Sequence, residues 1–192
     1  MVISINKSKR KAVFLDRDGV LNRAEVQNGK PYAPRSIESF DILPEALPAT
    51  EALHKAGLLL IVVTNQPDVG NGVASQHVIE EMHERLRKLL PIDDIKTCFH
   101  SQKDNCLCRK PQPGMLLDAS KDWNIDLTKS FMVGDRWNDV VAGRSQGCFT
   151  IFIDRGYSES LKEEPDMTVS SLAEAARLIL MRIKNHECQG SI

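Results

Sequence analysis

The run from Leu58 to Val63, LLLIVV, is apolar without interruption. Such a strand has no face to give to water and belongs inside a parallel sheet covered on both sides. Shorter apolar runs recur at Lys11–Leu15, Ile95–Phe99, Ser130–Val133 and Phe149–Ile153. Helical patterns fall between them. Glu45–Ala56 reads as a helix stopped by Gly57, and Ile79, Met82, Leu86 and Leu90 repeat at helical spacing before Pro91. Pro113 opens a helix through Trp123, and another runs from Asn138 to Gln146 and stops at Gly147. Ser171 and Glu174 form a capping box for a last helix carrying Leu172, Ala176, Ile179 and Ile183 on one face. Strand and helix alternate from end to end, which predicts a doubly wound parallel α/β fold. Residues 23–43, with Gly29, Pro31 and Pro34, read as a long loop.

Sheets of this kind bind ligands beyond the carboxyl ends of their strands, and the polar motifs sit there. Phe14–Val20, FLDRDGV, places Asp16 and Asp18 two residues apart at a strand exit, so both carboxylates face one site. Their like charges repel unless a cation or a transferable proton occupies them. Gly19 lets the chain turn directly afterwards. This pair suits a nucleophile and a proton donor acting on one phosphate, with Mg²⁺ absorbing charge. Thr64 follows the LLLIVV strand, Arg109 and Lys110 lie in CRKP, and Asp135 and Asp139 lie in GDRWND. A hydroxyl and an ammonium can hold phosphoryl oxygens, while Asp oxygens can seat an octahedral Mg²⁺. A DxDG run also opens calcium loops, but the further oxygen ligands and terminal Glu of that motif are missing here. Taken singly, Asp139 is also a common helix cap.

Composition narrows the partners. The 192 residues suffice for one domain, and a net charge of -1 gives no pull toward nucleic acid or an anionic membrane. No run approaches a membrane span, and the first residues, MVISINKSKRK, carry no signal-peptide pattern, so a cytoplasmic monomer is expected. Residues 1–10 and 185–192 read as tails of a single domain spanning 1–192.

Cys98, His100, Cys106 and Cys108 crowd into eleven residues, giving CxH, five residues, then CxC. Three thiolates and an imidazole form a closed tetrahedral set for structural Zn²⁺, with no position left for catalysis. The intervening SQKDN is too polar to be ordered by burial, so a metal would replace the missing core. Unrelated reduced thiols, or a redox pair, are the blander readings. Cys148 precedes an apolar strand and reads as a small buried hydrophobe; Cys188 lies in the polar tail. His54, His77 and His83 fall in helical patterns, and none reads as a catalytic base.

In order, DxD at Asp16 and Asp18, Thr64, Lys110, and GDxxxD at Asp135 and Asp139 resemble the four motifs of the haloacid dehalogenase superfamily. The cluster followed by RKPQPGM is similar to that superfamily's zinc-containing, capless branch. The resemblance covers Ala12 to Leu180 and implies a Rossmann-like fold without a large cap. It implies that Asp16 is the nucleophile, that Asp18 is the general acid and base, and that Thr64 and Lys110 stabilise the phosphoryl group. It implies Mg²⁺ on the carboxylates of Asp16 and Asp135 and the backbone carbonyl of Asp18. Asp139 would orient Lys110 or a metal-bound water. Arg109 and Arg136 would recognise substrate, with Asn65 and Gln66 offering amide contacts beside Thr64. The implied reaction is removal of the 7-phosphate of a heptose 1,7-bisphosphate. Hydrolysis of histidinol phosphate is the alternative within the branch, and a non-enzymatic binding protein the alternative on the same fold. The loop from Arg23 to Arg35 is longer than the branch pattern, and the zinc loop is short, with Phe99 where proline is common.

Overall fold

The computed structural model describes residues 8–189. Its elements in chain order are β1 (Ala12–Leu15), β2 (Glu25–Gln27), β3 (Lys30–Tyr32), α1 (Ala46–Lys55), β4 (Leu59–Asn65), α2 (Pro67–Gly70) and α3 (Gln76–Leu89). These are followed by β5 (Asp94–Cys98), α4 (Gly114–Trp123), β6 (Phe131–Gly134), α5 (Trp137–Ser145), β7 (Phe149–Ile153), β8 (Met167–Val169) and α6 (Leu172–Gln189). Six strands form one sheet in the order β5-β4-β1-β6-β7-β8, every neighbouring pair parallel. The chain first winds outward from β1 through β4 to β5. It then crosses back to β6, so the direction reverses beside β1, at the place where such sheets bind ligands.

The period of two along each strand divides the core. Val13, Leu15, Leu60, Val62 and Val133 pack with Leu53, Ile79, Met82, Leu86, Leu172 and Ile179, residues of α1, α3 and α6. Ala12, Phe14, Leu59, Ile61, Val63 and Met132 face the other way, toward Met115, Leu116 and Ala119 of α4 and toward Cys148. Each such aliphatic or aromatic side chain contributes about 1.5–3 kcal/mol through burial. Two apolar layers on one thin sheet therefore fix the strand tips that carry the polar residues.

Three differences from the sequence reading have local causes. The stretch read as a loop contains the β2–β3 hairpin, paired from Glu25–Tyr32 to Gln27–Lys30. Its turn is Asn28-Gly29, both at positive φ (51° and 75°), the backbone that Asn-Gly favours between two strands. Thr64 and Asn65 lie within β4 rather than after it, paired with Thr97 and Cys98. The last helix continues through 185–189, where a tail was expected, because neither Pro nor Gly interrupts it before Gly190. The expected tails at 1–7 and 190–192 lie outside the described residues, as does the side chain of Cys188. Among the described residues no helix is long and apolar enough to cross a membrane.

Candidate active site

Asp16 leaves the tip of β1 between its neighbours β4 and β6, and its backbone N–H donates to the carbonyl of Val133 at 3.0 Å. Its Oδ1 accepts from the Arg17 N–H at 2.8 Å and lies 2.9 Å from Lys110 Nζ. Lys110 is 2% exposed. Its ammonium also donates to the Val63 carbonyl at 2.6 Å and pairs with Asp139 Oδ1 at 2.6 Å. Burial works against this ammonium, but Asp139 and Asp16 outweigh it and hold its pKa above the ordinary lysine value. Asp139 combines the two roles left open by the sequence. Its Oδ2 accepts from the Arg136 N–H at 3.1 Å, capping α5, while Oδ1 holds Lys110.

The buried acids are out of balance with the bases. Carboxylate oxygens of Asp16, Asp135 and Asp139 lie within 4.8 Å of one another. Three carboxyl groups against the one ammonium of Lys110 would leave two negative charges, if all were ionised, in a largely buried site. Both oxygens of Asp135 are buried without a well-formed hydrogen bond, with the Tyr157 phenol among their neighbours. Burial, with Asp16 and Asp139 adding to it, pushes Asp135 well above the usual carboxylate range. Asp16 is raised to about 6, chiefly by burial, with Lys110 opposing and Asp139 and Asp18 adding. A divalent cation on Asp16 and Asp135 would neutralise this surplus, and oxygen donors of this kind suit Mg²⁺. Gly19 keeps the space clear: at φ +88° a Cβ there would come 1.8 Å from Asp135 Oδ2.

Asp18 is held apart from that cluster. The Arg17 fork donates to it through Nε and Nη2, each at 3.1 Å. Asn22 Nδ2 donates at 2.9 Å and Gln66 Nε2 at 2.8 Å. Gln66 Nε2 also donates to Thr64 Oγ1 at 2.8 Å, which leaves the threonine proton available to a ligand. The Gln66 amide nitrogen is therefore engaged by Asp18 and Thr64, and the side chain is buried at 1% exposure. Asn65 is engaged likewise, donating to the Lys110 carbonyl and accepting from its N–H, both at 3.0 Å. These two amides hold the machinery in place, and Asn65 also borders the cleft.

The cleft above has a volume of about 220 Å³ and is bordered by Asp16, Asp18, Lys110, Asn138, Lys30 and Tyr32, among others. Lys30 and Tyr32 belong to the hairpin, which is tied to the loop after β7 by the Ser158 N–H donating to Gly29 O at 2.8 Å. Arg136 borders the cleft but is gripped by Glu159, with Nε 2.9 Å from Oε2 and Nη2 on Oε1. Arg109 does not line the cleft; it is half-buried, and its Nη1 is buried without a partner. The sequence reading missed Arg17, Asn22, Asn138, Tyr157 and Glu159. Arg17 and Asn22 sit inside or beside FLDRDGVLN and could have been suspected there; Tyr157 and Glu159 come from an aperiodic loop that gives no such signal.

The second cluster lies at the end of β5. Cys98 Sγ stands 3.2 Å from Cys108 Sγ and 3.6 Å from Cys106 Sγ, and Cys106 and Cys108 are 3.5 Å apart. His100 Nδ1 is 3.2 Å from Cys108 Sγ and 3.6 Å from Cys98 Sγ. A Zn–S bond of about 2.3 Å implies a tetrahedral edge of about 3.8 Å, close to these separations. The donor set and its spacing thus fit a closed zinc site.

A HAD-hydrolase-like family model matches residues 107–175. The chain is 34% identical over 184 residues to the D-glycero-beta-D-manno-heptose-1,7-bisphosphate 7-phosphatase of Pasteurella multocida, covering 88% of this chain and 97% of that one. The protein of the same name from Photorhabdus laumondii is 32% identical over 183 residues, covering 88% and 94%. Among solved structures, the D,D-heptose 1,7-bisphosphate phosphatase of B. bronchiseptica, complexed with magnesium and phosphate, superposes with a TM-score of 0.79 at 28% identity, covering 90% of this chain and 99% of that one. The chain therefore belongs to the haloacid dehalogenase superfamily, in the family of the D-glycero-beta-D-manno-heptose-1,7-bisphosphate 7-phosphatases.

Proposed function

We propose that this chain is a Mg²⁺-dependent phosphomonoester hydrolase that removes the 7-phosphate of D-glycero-D-manno-heptose 1,7-bisphosphate. One observation carries the reading: Asp16, Lys110, and Asp135 with Asp139, from three separate segments, meet where three buried acids face one ammonium. A structural ion-pair network would balance its charges. A site that awaits a divalent cation need not.

The chemistry follows from the placement of each group. Asp16 attacks phosphorus with a carboxylate oxygen. The bond from phosphorus to the sugar oxygen breaks, and Asp18 gives that oxygen its proton. Asp18, now ionised, takes a proton from water; the water oxygen attacks the phospho-aspartate, the acyl-phosphate P–O bond breaks and inorganic phosphate leaves. Lys110 and the Thr64 hydroxyl hold the oxygens on which charge shifts during both transfers. Mg²⁺ on the carboxylates of Asp16 and Asp135 and on the Asp18 carbonyl would supply charge neutralisation for the dianionic phosphate. Asn65 keeps Lys110 in register, and Gln66 aims Asp18 and Thr64 together.

The open cleft suits a compact substrate, and the hairpin brings the exposed Lys30 to its edge as a cation for a distal phosphate. Zn²⁺ on Cys98, His100, Cys106 and Cys108 would be structural, ordering the loop that leads into Lys110. Steady-state kcat/KM on both anomers of heptose 1,7-bisphosphate and on histidinol phosphate tests the assignment. A preference for the heptose of about a hundredfold or more is expected, with the C1 phosphate retained in the product by ³¹P NMR. A preference for histidinol phosphate would overturn it.

A further inference from the structure

Helix α3 buries Ile79, Met82, His83 and Leu86, so an imidazole sits in an otherwise apolar stripe, 4% exposed. Its ring meets Arg17, whose Nη1 lies 3.2 Å from His83 Nε2. An arginine can only donate. His83 Nε2 is therefore a bare acceptor and the ring proton sits on Nδ1. Arg17 is fully buried at 0% exposure, with its guanidinium 5.5 Å from the centre of the Phe40 ring. Every nitrogen of the guanidinium is engaged: Nη1 by His83, Nε and Nη2 by the two oxygens of Asp18. A planar fork bonded through all three of its nitrogens is held to one orientation, and Asp18 shares it.

We infer that Arg17 and His83 are positioning residues: His83 fixes the guanidinium plane, and the plane fixes the orientation of the Asp18 carboxyl toward the leaving oxygen. This rests on the phosphatase reading above, in which Asp18 protonates the leaving oxygen. Burial and the neighbouring Arg17 and Arg87 charges keep His83 neutral, pushing its pKa down to about 3, so the acceptor persists across the working pH range. Without that acceptor, a buried donor is left unpaired and the guanidinium turns to satisfy it. Asn22 and Gln66 still hold Asp18, but the two bonds that define its plane are lost.

The leaving group separates this role from a structural one. A sugar alkoxide must be protonated as it leaves, whereas p-nitrophenolate departs without a proton. The experiment measures single-turnover phosphoryl transfer to the enzyme from heptose 1,7-bisphosphate and from p-nitrophenyl phosphate, with saturating Mg²⁺. In His83→Leu the sugar rate should fall roughly tenfold or more while the p-nitrophenyl rate changes less than about twofold. His83→Gln, whose amide oxygen can accept from Arg17, should restore the sugar rate. Equal losses on both substrates, no loss on either, or no rescue by His83→Gln would overturn the inference. Should His83→Leu fail to fold, Phe40→Leu removes the ring beside the guanidinium, and the same selective loss is required of it. A native protein inactive on both substrates would instead defeat the phosphatase reading, and this inference with it.

Discussion

Lys110 Nζ stands 2.6 Å from Asp139 Oδ1, so the residue that caps α5 also holds the buried ammonium of the site. The two functions can be separated by substitution. Asp139→Asn keeps an oxygen for the Arg136 N–H but removes the charge facing Lys110. Its kcat should fall about ten- to a hundredfold, since Lys110 then keeps Asp16 as its one paired carboxylate. Asp139→Ala should lose the cap as well, about 1 kcal/mol, or roughly 2–4 °C in Tm below Asp139→Asn. Kinetics and thermal melts of the pair check this. Equal Tm values would show that the capping bond contributes nothing.

Asp16→Asn should abolish turnover without lowering the Tm of the metal-free protein. The amide still accepts from Lys110 and from the Arg17 N–H, while one of three crowded negative charges disappears. Relief of that repulsion offsets the weaker pairing with Lys110. Phosphate release and calorimetry in chelator measure both outcomes. Full activity in this variant would remove Asp16 as the nucleophile.

The same charge surplus makes metal binding depend on pH. Asp16, raised to about 6, keeps a proton in the folded metal-free chain that the unfolded chain has released above its ordinary value of 3.8. Between those two values the folded state binds more protons, so this group's contribution to stability declines as pH rises and levels off above about 6. Asp135, also raised well above its ordinary value, adds to the decline in the same direction. A cation displaces those protons, and the gain in Tm on adding Mg²⁺ should therefore grow from pH 5 to pH 8. His83 has the opposite slope, its depressed value favouring the folded state as pH rises from about 3 to 6.5, but it cancels in the difference with and without metal. A Mg²⁺ increment that shrinks with rising pH would contradict this account.

Much of the fold was legible because it is written in period. The alternation of Ala12 and Phe14 against Val13 and Leu15, and of Leu59 and Ile61 against Leu60 and Val62, is the division between the two core layers. Asp16, Asp18 and Asp135 could be placed together because each follows an apolar run and every strand of a parallel sheet ends on the same side; Thr64, Lys110 and Asp139 were identified from their motifs. The hairpin was legible in principle from Asn28-Gly29, but Pro31 and Pro34 weighed the stretch toward loop; Pro31 is tolerated because this two-stranded ribbon is all edge. Partners chosen by tertiary approach were not legible. No spacing tells that Gln66 turns toward Asp18, that Asn65 locks Lys110, or that Glu159 comes back across the sheet to Arg136. Residues of β8 were missed because three residues carry no measurable period.

The cluster of Cys98, His100, Cys106 and Cys108, proposed to hold zinc, allows a prediction that separates architecture from chemistry. Cys98 is buried at the end of β5 and Cys106 and Cys108 are half-buried, while Gln102, Lys103, Asp104 and Asn105 between them are exposed. Little apolar surface orders this loop, so the four ligands must do so, and metal at such a site supplies folding free energy directly. The loop then runs through Arg109 to Lys110, whose N–H and carbonyl are fastened to Asn65. Loss of zinc should therefore loosen the segment up to that fastening and leave Lys110 seated. Elemental analysis should find one zinc per chain in the native protein. Cys106→Ser should lower its zinc content and reduce Tm by about 5 °C or more, an order of 2 kcal/mol, with kcat reduced less than about tenfold at a temperature where the variant is folded. A variant that binds no zinc yet melts with the native protein would show that burial alone holds the loop. One that keeps its Tm but loses kcat a hundredfold would place the cluster in the chemistry after all.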